Sequence, residues 1–331
     1  MRSQGRIGLG EAELGGQASL TATAAAASGA VALDLVAAVL GVRNAEPVVA
    51  ITRIDGRDSL PSGPYRPREH RTLERGTTAW IATQTGGEAM LAGHLCADSG
   101  PSPETSSDLC TVSIGHLALV NPTQRRAATR AIWKSWYTIF PWEDWRAGKP
   151  QCLTQIEGYL ATWATQPASP SDVPPGTDRR QRIRIAFGSG AGWDEEKLCE
   201  RYALMIEAGL IGDTAASAWT RTATLRTGHT LILARAIAEL RRSVKCRPIV
   251  FELMPEVFTL FEMQRVVEAI LGLQLHKQNF RRLIESCRLV EAAGETRMRT
   301  GGRPARLYRF RRDVVFERAA PGVRLRPGGA H

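Results

Sequence analysis

The feature that most constrains the fold of this chain is a pair of helical patterns joined by a short turn near its C-terminal end. The sequence TLFE is a capping box, in which Thr259 covers free N–H groups of the first turn and Glu262 bonds back to the cap residue. The first helix is predicted to end at Gly272, and a second is predicted to run from about His276 to Cys287. The pattern therefore predicts two helices in immediate succession.

The second predicted helix has one apolar stripe, formed by Phe280, Leu283, Ile284 and Cys287 at positions i, i+3, i+4 and i+7. Its other positions carry side chains of the types that bond base edges and phosphates. They are Lys277, Gln278, Asn279, Arg281 and Arg282. The helix is therefore a candidate for reading a DNA groove.

A hairpin pattern follows the two helices. In RPARLYRF, residues 303–310, Ala305 and Leu307 alternate with Arg306 and Tyr308, and Gly301-Gly302 precedes the run. Two helices and a hairpin with a basic tip form the plan of a winged helix-turn-helix, in which the tip reaches the DNA backbone or the minor groove. The wing residues predicted to do so are Arg297, Arg299 and Arg303. A surface helix with solvated charges and an unrelated hairpin is the alternative, and the conjunction of features favours DNA binding.

The distribution of charge points to the same end of the chain. Residues 276–331 contain fourteen Lys or Arg and five acidic residues, so they carry +9 of the net charge of +10. This asymmetry predicts that the C-terminal end meets a polyanion, although a solvated basic tail would have the same composition.

Length and cysteine usage bound the class of protein. A chain of 331 residues is long enough for about two domains, and 43% hydrophobic residues are typical of a globular protein. Its six cysteines form no C-x-x-C pair, which predicts reduced thiols in a cytoplasmic protein. Residues 22–42 are too weakly apolar to span a membrane, so no membrane partner is expected.

The remaining sequence predicts an α/β domain with flanking helices. Strands are expected at 31–42, 47–54, 88–95 and 111–120, around a helix near 73–85. A helix is expected from Asn121-Pro122 to Pro141, a strand at 182–187, and further helices near 195–209 and 228–244. The predicted division is a flexible extension at 1–30, an α/β domain at 31–164, a Pro-rich linker with connecting or dimerisation helices at 165–246, and the winged helix at 247–331.

The stretch RTLERGTTAWIATQTGGE resembles the Nudix box, the metal-binding helix of nucleoside-diphosphate hydrolases, in its helical pattern and its closing glycine. Anchored on Gly86, the positions of the motif R-E-U-x-E-E are residues 79–84, which read AWIATQ and hold no carboxylate. Because Mg²⁺ requires carboxylate oxygens in near-octahedral placement, we expect no metal site and no catalytic residue here. The simpler interpretation is one helical face that packs on a sheet.

A basic loop precedes this helix and is a candidate phosphate-binding site. The candidate ligand-binding residues are Arg53, Arg66, Arg68, His70, Arg71 and Trp80. A solvated loop explains these charges equally well.

Together, a degenerate Nudix-like domain and a winged helix resemble the Nudix-related transcriptional regulators of NAD metabolism, in particular the NadQ type of alphaproteobacteria. The stretches that carry the resemblance include HRTLERGTTAWIATQTG, FPWEDWRAGKP and RPIVFELMPEVFTLFEMQRVVEAILGLQLHKQNFRRLIE. The resemblance covers residues 31–326 and adds His276 to the predicted recognition residues.

The resemblance implies an α/β Nudix-like sandwich with a C-terminal winged helix-turn-helix, and no required cofactor. It implies a homodimer that binds a partly palindromic double-stranded operator before NAD-biosynthesis genes and represses them. It also implies an effector such as ATP, NAD or ADP-ribose. Two alternatives stay open at this point: an active Nudix pyrophosphatase with an appended DNA-binding module, and a nonspecific nucleic-acid-binding protein.

Overall fold

A mixed β-sheet forms the centre of the N-terminal half. The computed structural model describes residues 31–54, 56–101, 110–121, 131–166, 178–188, 192–211, 225–226, 228–297 and 305–313. Within them the seven strands of this sheet are β1 (Ala32–Arg43), β2 (Glu46–Ile54), β3 (Arg57–Ser59), β4 (Ser62–Pro64), β5 (Met90–Pro101), β6 (Cys110–Leu119) and β7 (Ile132–Ser135). The predicted flexible extension at 1–30 and most of the Pro-rich linker lie outside the described residues.

The strand order is β3-β2-β1-β6-β5, with β4 also pairing with β1 and β7 with β2. β1 and β6 are parallel and the other pairs are antiparallel. The strands predicted at 31–42, 47–54, 88–95 and 111–120 are confirmed as β1, β2, β5 and β6, with shifts of a few residues at their ends.

Helices cover both faces of this sheet. The helices of this part of the chain are α1 (Pro67–His70), α2 (Leu73–Thr85), α3 (Gln151–Trp163), α4 (Arg179–Phe187), α5 (Leu198–Glu207) and α6 (His229–Cys246), with short 3-10 turns at Trp136–Thr138, Pro141–Glu143 and Glu195–Lys197. α2 packs on one face of the sheet and α6 on the other. Because side chains alternate along β1, Val36 and Leu40 face the large core formed with α6, whereas Ala37 and Val39 face the opposite side with Ile81 of α2. The sheet therefore separates two environments.

Two predicted elements are wrong. Ile132–Ser135, expected within a helix, forms β7, because it pairs with the edge of β2 and places Trp133 opposite Ala50. Residues 182–187, expected as a strand, belong to α4, because Asp178 caps that helix by accepting a hydrogen bond from Arg180 N–H at 3.2 Å. The alternating IRI of α4 resembles a strand, but tertiary contacts and the cap decide its conformation.

The C-terminal part forms the predicted winged helix-turn-helix. It consists of a 3-10 turn at Pro248–Leu253, β8 (Val257–Phe258), α7 (Leu260–Leu271), α8 (Lys277–Cys287), β9 (Val290–Arg297) and β10 (Ala305–Phe310). Both halves of the capping box are present: Glu262 N–H donates to Thr259 Oγ1 at 3.1 Å, and Thr259 N–H donates to Glu262 Oε2 at 2.8 Å. β10 pairs with both β8 and β9 to form the wing sheet.

Candidate nucleic-acid interface and ligand face

The second helix of the winged helix, α8, presents one polar face to solvent. Phe280, Ile284 and Cys287 are buried, and Leu283 is half-buried, so the apolar stripe packs as predicted. The six predicted recognition residues are exposed: His276, Lys277, Gln278, Asn279, Arg281 and Arg282. This face can donate to phosphates and base edges without first breaking a buried contact.

The wing supplies further positive charge beside α8. Arg306 lies over the ring of Tyr308 at 5.6 Å, and Arg309 Nε donates to Glu291 Oε1 at 2.6 Å. The backbone of Arg297 ends β9, while Arg299 and Arg303 lie outside the described residues. DNA contact by these three residues stays a prediction.

Three of the predicted ligand residues meet at one corner before α2. The backbone N–H of Arg66 donates to His70 Nδ1 at 3.1 Å, and the rings of His70 and Trp80 lie 6.0 Å apart, edge to face. The Arg66 guanidinium is 5.8 Å from the centre of the Trp80 ring and also pairs with Glu69 at 3.2 Å. The buried imidazole of His70 therefore shapes this corner through the backbone rather than facing solvent.

The other predicted ligand residues are arranged differently. Arg53 lies on β2, is largely exposed and pairs with Asp58 at 3.6 Å. Arg68 and Arg71 are exposed, and the carbonyl of Arg71 accepts a hydrogen bond from the hydroxyl of Tyr65 at 3.2 Å. Ligand contact by any of them stays a prediction.

The helix α2 is fixed to β4 by side chains at two positions that were aligned above with glutamates of the Nudix motif. Gln84 accepts from Ser62 N–H at 3.2 Å and donates to Ser62 O at 2.7 Å, while Trp80 Nε1 donates to Pro64 O at 3.2 Å. A Cβ on Gly63 would lie 2.4 Å from the Trp80 ring, so this close approach requires glycine. Across the described residues, no group of three or more His, Cys, Asp or Glu side chains is placed to hold a metal ion.

Sequence reasoning missed the sheet face beneath α2. Small side chains form it, and Ile81 packs on them, with Trp133 at the margin. These small residues are Ala37, Val39, Ala50, Ala118 and Ala131. The continuous apolar run LVAAVL at residues 35–40 of β1 was the signal in the sequence, because a strand that is apolar at every position is buried on both faces.

A histidine pair extends the same face toward β5. His116 is buried, and its Nδ1 lies 3.2 Å from Thr77 Oγ1 of α2, while His94 packs edge to face on it with ring centres 5.5 Å apart. Burial, and then the neighbouring His94, lower the pKa of His116, which favours the neutral ring. The contact between Thr77 and His116 joins residues that are 39 positions apart in the sequence, so no local sequence pattern predicts it.

None of the helices in the described part of the chain has both the length and the apolar character needed to cross a bilayer.

Comparison with known proteins identifies the winged helix. Residues 250–310 match the family model of the NrtR DNA-binding winged helix domain. A curated relative, the ADPR responsive transcriptional repressor NtrR of Acinetobacter baylyi, is 39% identical over 82 residues. That match covers 25% of this chain and spans 32% of the relative's length.

Solved structures extend the similarity of fold to most of the chain. Shewanella oneidensis NrtR complexed with a 27mer DNA matches with a TM-score of 0.52 and 17% identity, over 86% of this chain and 95% of that one. A second crystal structure of Shewanella oneidensis NrtR matches with a TM-score of 0.51 and 16% identity, over the same shares of both chains. The chain therefore shares the fold of these two structures over most of its length, and its residues 250–310 match an NrtR DNA-binding winged helix domain.

Proposed function

We propose that this protein is a ligand-responsive transcriptional repressor in which the Nudix-like domain senses an effector and the winged helix binds operator DNA. The observation that carries the proposal is the exposed polar and basic face of α8, within residues that match a DNA-binding family. Lys277, Arg281 and Arg282 give this face three cationic side chains in one helix of eleven residues. Such a face suits phosphate contact and direct reading of bases in a major groove.

ADP-ribose is the first candidate effector. The Acinetobacter relative is named as ADPR responsive. Among the three candidate effectors ATP, NAD and ADP-ribose, this name favours ADP-ribose. In this chain, the corner of Arg66 and Trp80 offers a cation and an aromatic ring. Trp80 belongs to α2, which packs on a buried sheet face of small residues. A nucleoside diphosphate carries both features that these groups bind, a base that stacks and phosphates that attract cations.

We further propose that the Nudix-like domain binds without hydrolysing. Trp80, Thr83 and Gln84 occupy the positions of the metal-binding glutamates in the Nudix motif, and the amide of Gln84 is engaged by Ser62. Without carboxylates on that helical face, the metal-assisted attack on a diphosphate lacks its metal ligands. The protein then responds to its effector by binding it and not by converting it.

The target proposed from the resemblance is a partly palindromic operator before genes of NAD biosynthesis. A homodimer would place its two recognition helices about one DNA turn apart, so that each α8 reads one half-site. A cytoplasmic location follows from the same proposal, because the operator and the effector are both found there.

Fluorescence anisotropy of labelled DNA tests the proposal. The full chain is titrated onto a fragment from its own upstream region and onto an unrelated duplex of equal length, at two salt concentrations. We expect preference for the upstream fragment and a change in its Kd on addition of ADP-ribose. Equal binding to both duplexes with a steep loss in salt would support nonspecific binding instead.

A hydrolysis assay separates the proposed sensor from an enzyme. ADP-ribose, NADH and dinucleotides are incubated with the chain and Mg²⁺ or Mn²⁺, with phosphatase-coupled phosphate release as the readout. We expect no turnover above background. Metal-dependent turnover would establish the alternative, an active pyrophosphatase with a DNA-binding module.

A further inference from the structure

We propose that residues 136–146 and Arg241 form a junction clamp that carries the ligand state of the Nudix-like domain to the turn before the recognition helix. This inference rests on the proposed function, because it assumes that the two sites influence each other. It names the residues through which they do so.

The clamp begins at the end of α7, whose last carbonyl groups have no partner within their own helix. The hydroxyl of Tyr137 donates to Ala269 O at 2.7 Å, and Arg241 Nε donates to Ile270 O at 3.0 Å. Both side chains are buried, and the Arg241 cation also suits the negative end of the helix dipole. The helix that precedes the recognition helix is therefore capped by residues outside the winged helix.

The same segment then contacts the turn itself. Trp145 N–H donates to Gly272 O at 2.8 Å, and Gln274 Nε2 donates to Arg146 O at 2.6 Å. Gly272 has φ +72, and a Cβ there would lie 2.3 Å from the carbonyl oxygen of Glu143, so the two backbones are in direct contact. The turn between α7 and α8 has little freedom to move unless residues 136–146 move with it.

A buried ion cluster holds the clamp to the helical layer. Both oxygens of Glu143 are bound: Arg201 of α5 donates from Nε at 2.7 Å, and Arg241 of α6 donates from Nη1 at 2.7 Å. All three side chains are fully buried. A buried carboxylate between two guanidinium groups has a narrow range of acceptable positions, since any displacement leaves a charge without its partner.

The other end of the clamp reaches the buried sheet face beneath α2, the helix that carries Trp80 of the proposed ligand corner. β7 immediately precedes residue 136, and Trp133 of β7 lies opposite Ala50, one of the small residues beneath α2. A ligand that displaces Trp133 would shift a strand only three residues before Trp136, which is itself fully buried. The chain thus connects the two sites over a short and tightly packed stretch.

The double variant Tyr137→Phe and Gln274→Ala tests the clamp without breaking the buried ion cluster. It removes one hydrogen bond from α7 and one from the turn, and Gln274 is exposed. The matched control is Tyr159→Phe with Gln151→Ala, which changes the same residue types at exposed positions of α3.

The first measurement is hydrogen exchange of the free protein, which needs no effector. We expect the amides of residues 272–280 to exchange faster in the double variant than in the control. Unchanged exchange would show that the clamp does not hold the turn and would overturn the inference.

The second measurement is the ratio of Kd values for the upstream DNA fragment with and without ADP-ribose. Allosteric factors are typically roughly 5-fold to 150-fold, and we expect the double variant to bring the ratio toward 1 while calorimetry shows unchanged ADP-ribose affinity. A wild-type ratio preserved in the double variant would contradict the inference. If the wild-type ratio itself is 1, the proposed effector is wrong, whereas the exchange data still decide whether the clamp holds the turn.

Discussion

Gln84 and Trp80 occupy positions where the Nudix motif has glutamates, and the contacts of these two side chains attach the helix to its neighbouring strand. The amide of Gln84 satisfies both backbone groups of Ser62, which a carboxylate cannot do because it has no donor. The indole of Trp80 fills the space above Gly63 and bonds Pro64. These residues hold the helix against β4, and neither side chain is a carboxylate.

The variant Gln84→Glu tests this assignment. A carboxylate would face the carbonyl of Ser62, so we expect the free energy of unfolding to fall by about 1–3 kcal/mol at pH 7 in urea titrations. The control Thr83→Glu places the same charge on the exposed neighbouring residue and should change stability by less than about 0.5 kcal/mol. Equal effects of the two variants would mean that the contacts of Gln84 do not stabilise the helix.

His229 gives the folded state a defined pH dependence. Its buried Nδ1 accepts the backbone N–H of Leu60 at 3.1 Å, and burial, followed by the nearby Arg226, lowers its pKa to about 4. The unfolded chain binds the proton more tightly, with an ordinary pKa of about 6.5. The contribution of neutral His229 is therefore complete above pH 6.5 and falls by about 1.4 kcal/mol per pH unit as the pH decreases toward 4.

Replacement of His229 by Gln keeps an acceptor for Leu60 and removes this titration. We expect the urea midpoint of His229→Gln to decline less between pH 6.5 and 5 than that of the wild type. The exposed control His276→Gln should retain the wild-type decline. Parallel pH profiles for all three proteins would refute the assignment.

Among the secondary-structure elements, α8 is the one whose exposed face follows most directly from its own sequence. Its apolar stripe leaves Arg281 in solvent, close to Gln278 and Arg282 on the same face. An arginine at such a position can bond a guanine edge with two hydrogen bonds. Sequence preference should then depend on this side chain more than on charge elsewhere.

Replacement of Arg281 by Ala should weaken binding to the upstream fragment by about 1–3 kcal/mol, roughly 5-fold to 150-fold in Kd, and relax sequence preference. The comparison is Arg184→Ala, which removes the same charge from an exposed position of α4. We expect the control to change Kd by less than about twofold, because α4 lies outside the winged helix. If both variants weaken all duplexes equally, α8 contributes charge but does not read sequence.

Local sequence patterns predicted an element correctly where the residues of that element alone favour one conformation. They failed where contacts with a distant element determine the conformation. The capping box at Thr259 and the stripe ending at Cys287 are local, and both are confirmed. Ile132–Ser135 became a strand because the edge of β2 was available, which its own residues do not indicate. The contact of His116 with Thr77 and the pairing of Glu143 with two arginines arise only after distant elements pack.

At the scale of the whole molecule, one hydrophobic core joins regions that the sequence suggests dividing. It runs from Val36 of β1 through Ile232 and Leu240 of α6 to Met263 of α7 and Leu289 beside the wing. The small residues beneath α2 lie on the opposite side of the same sheet. Under the proposed coupling, a movement of α2 would reach the winged helix through packed structure rather than across a linker.

If the ligand site and the DNA surface are energetically coupled, as proposed, the coupling must be reciprocal. Coupling requires that operator DNA change the affinity for ADP-ribose by the same factor by which ADP-ribose changes the affinity for DNA. Titration calorimetry of ADP-ribose into the full chain, alone and saturated with the upstream fragment, measures that factor. We predict Kd values that differ by the factor found in the anisotropy experiment, whereas identical ADP-ribose affinity with and without DNA would contradict the account.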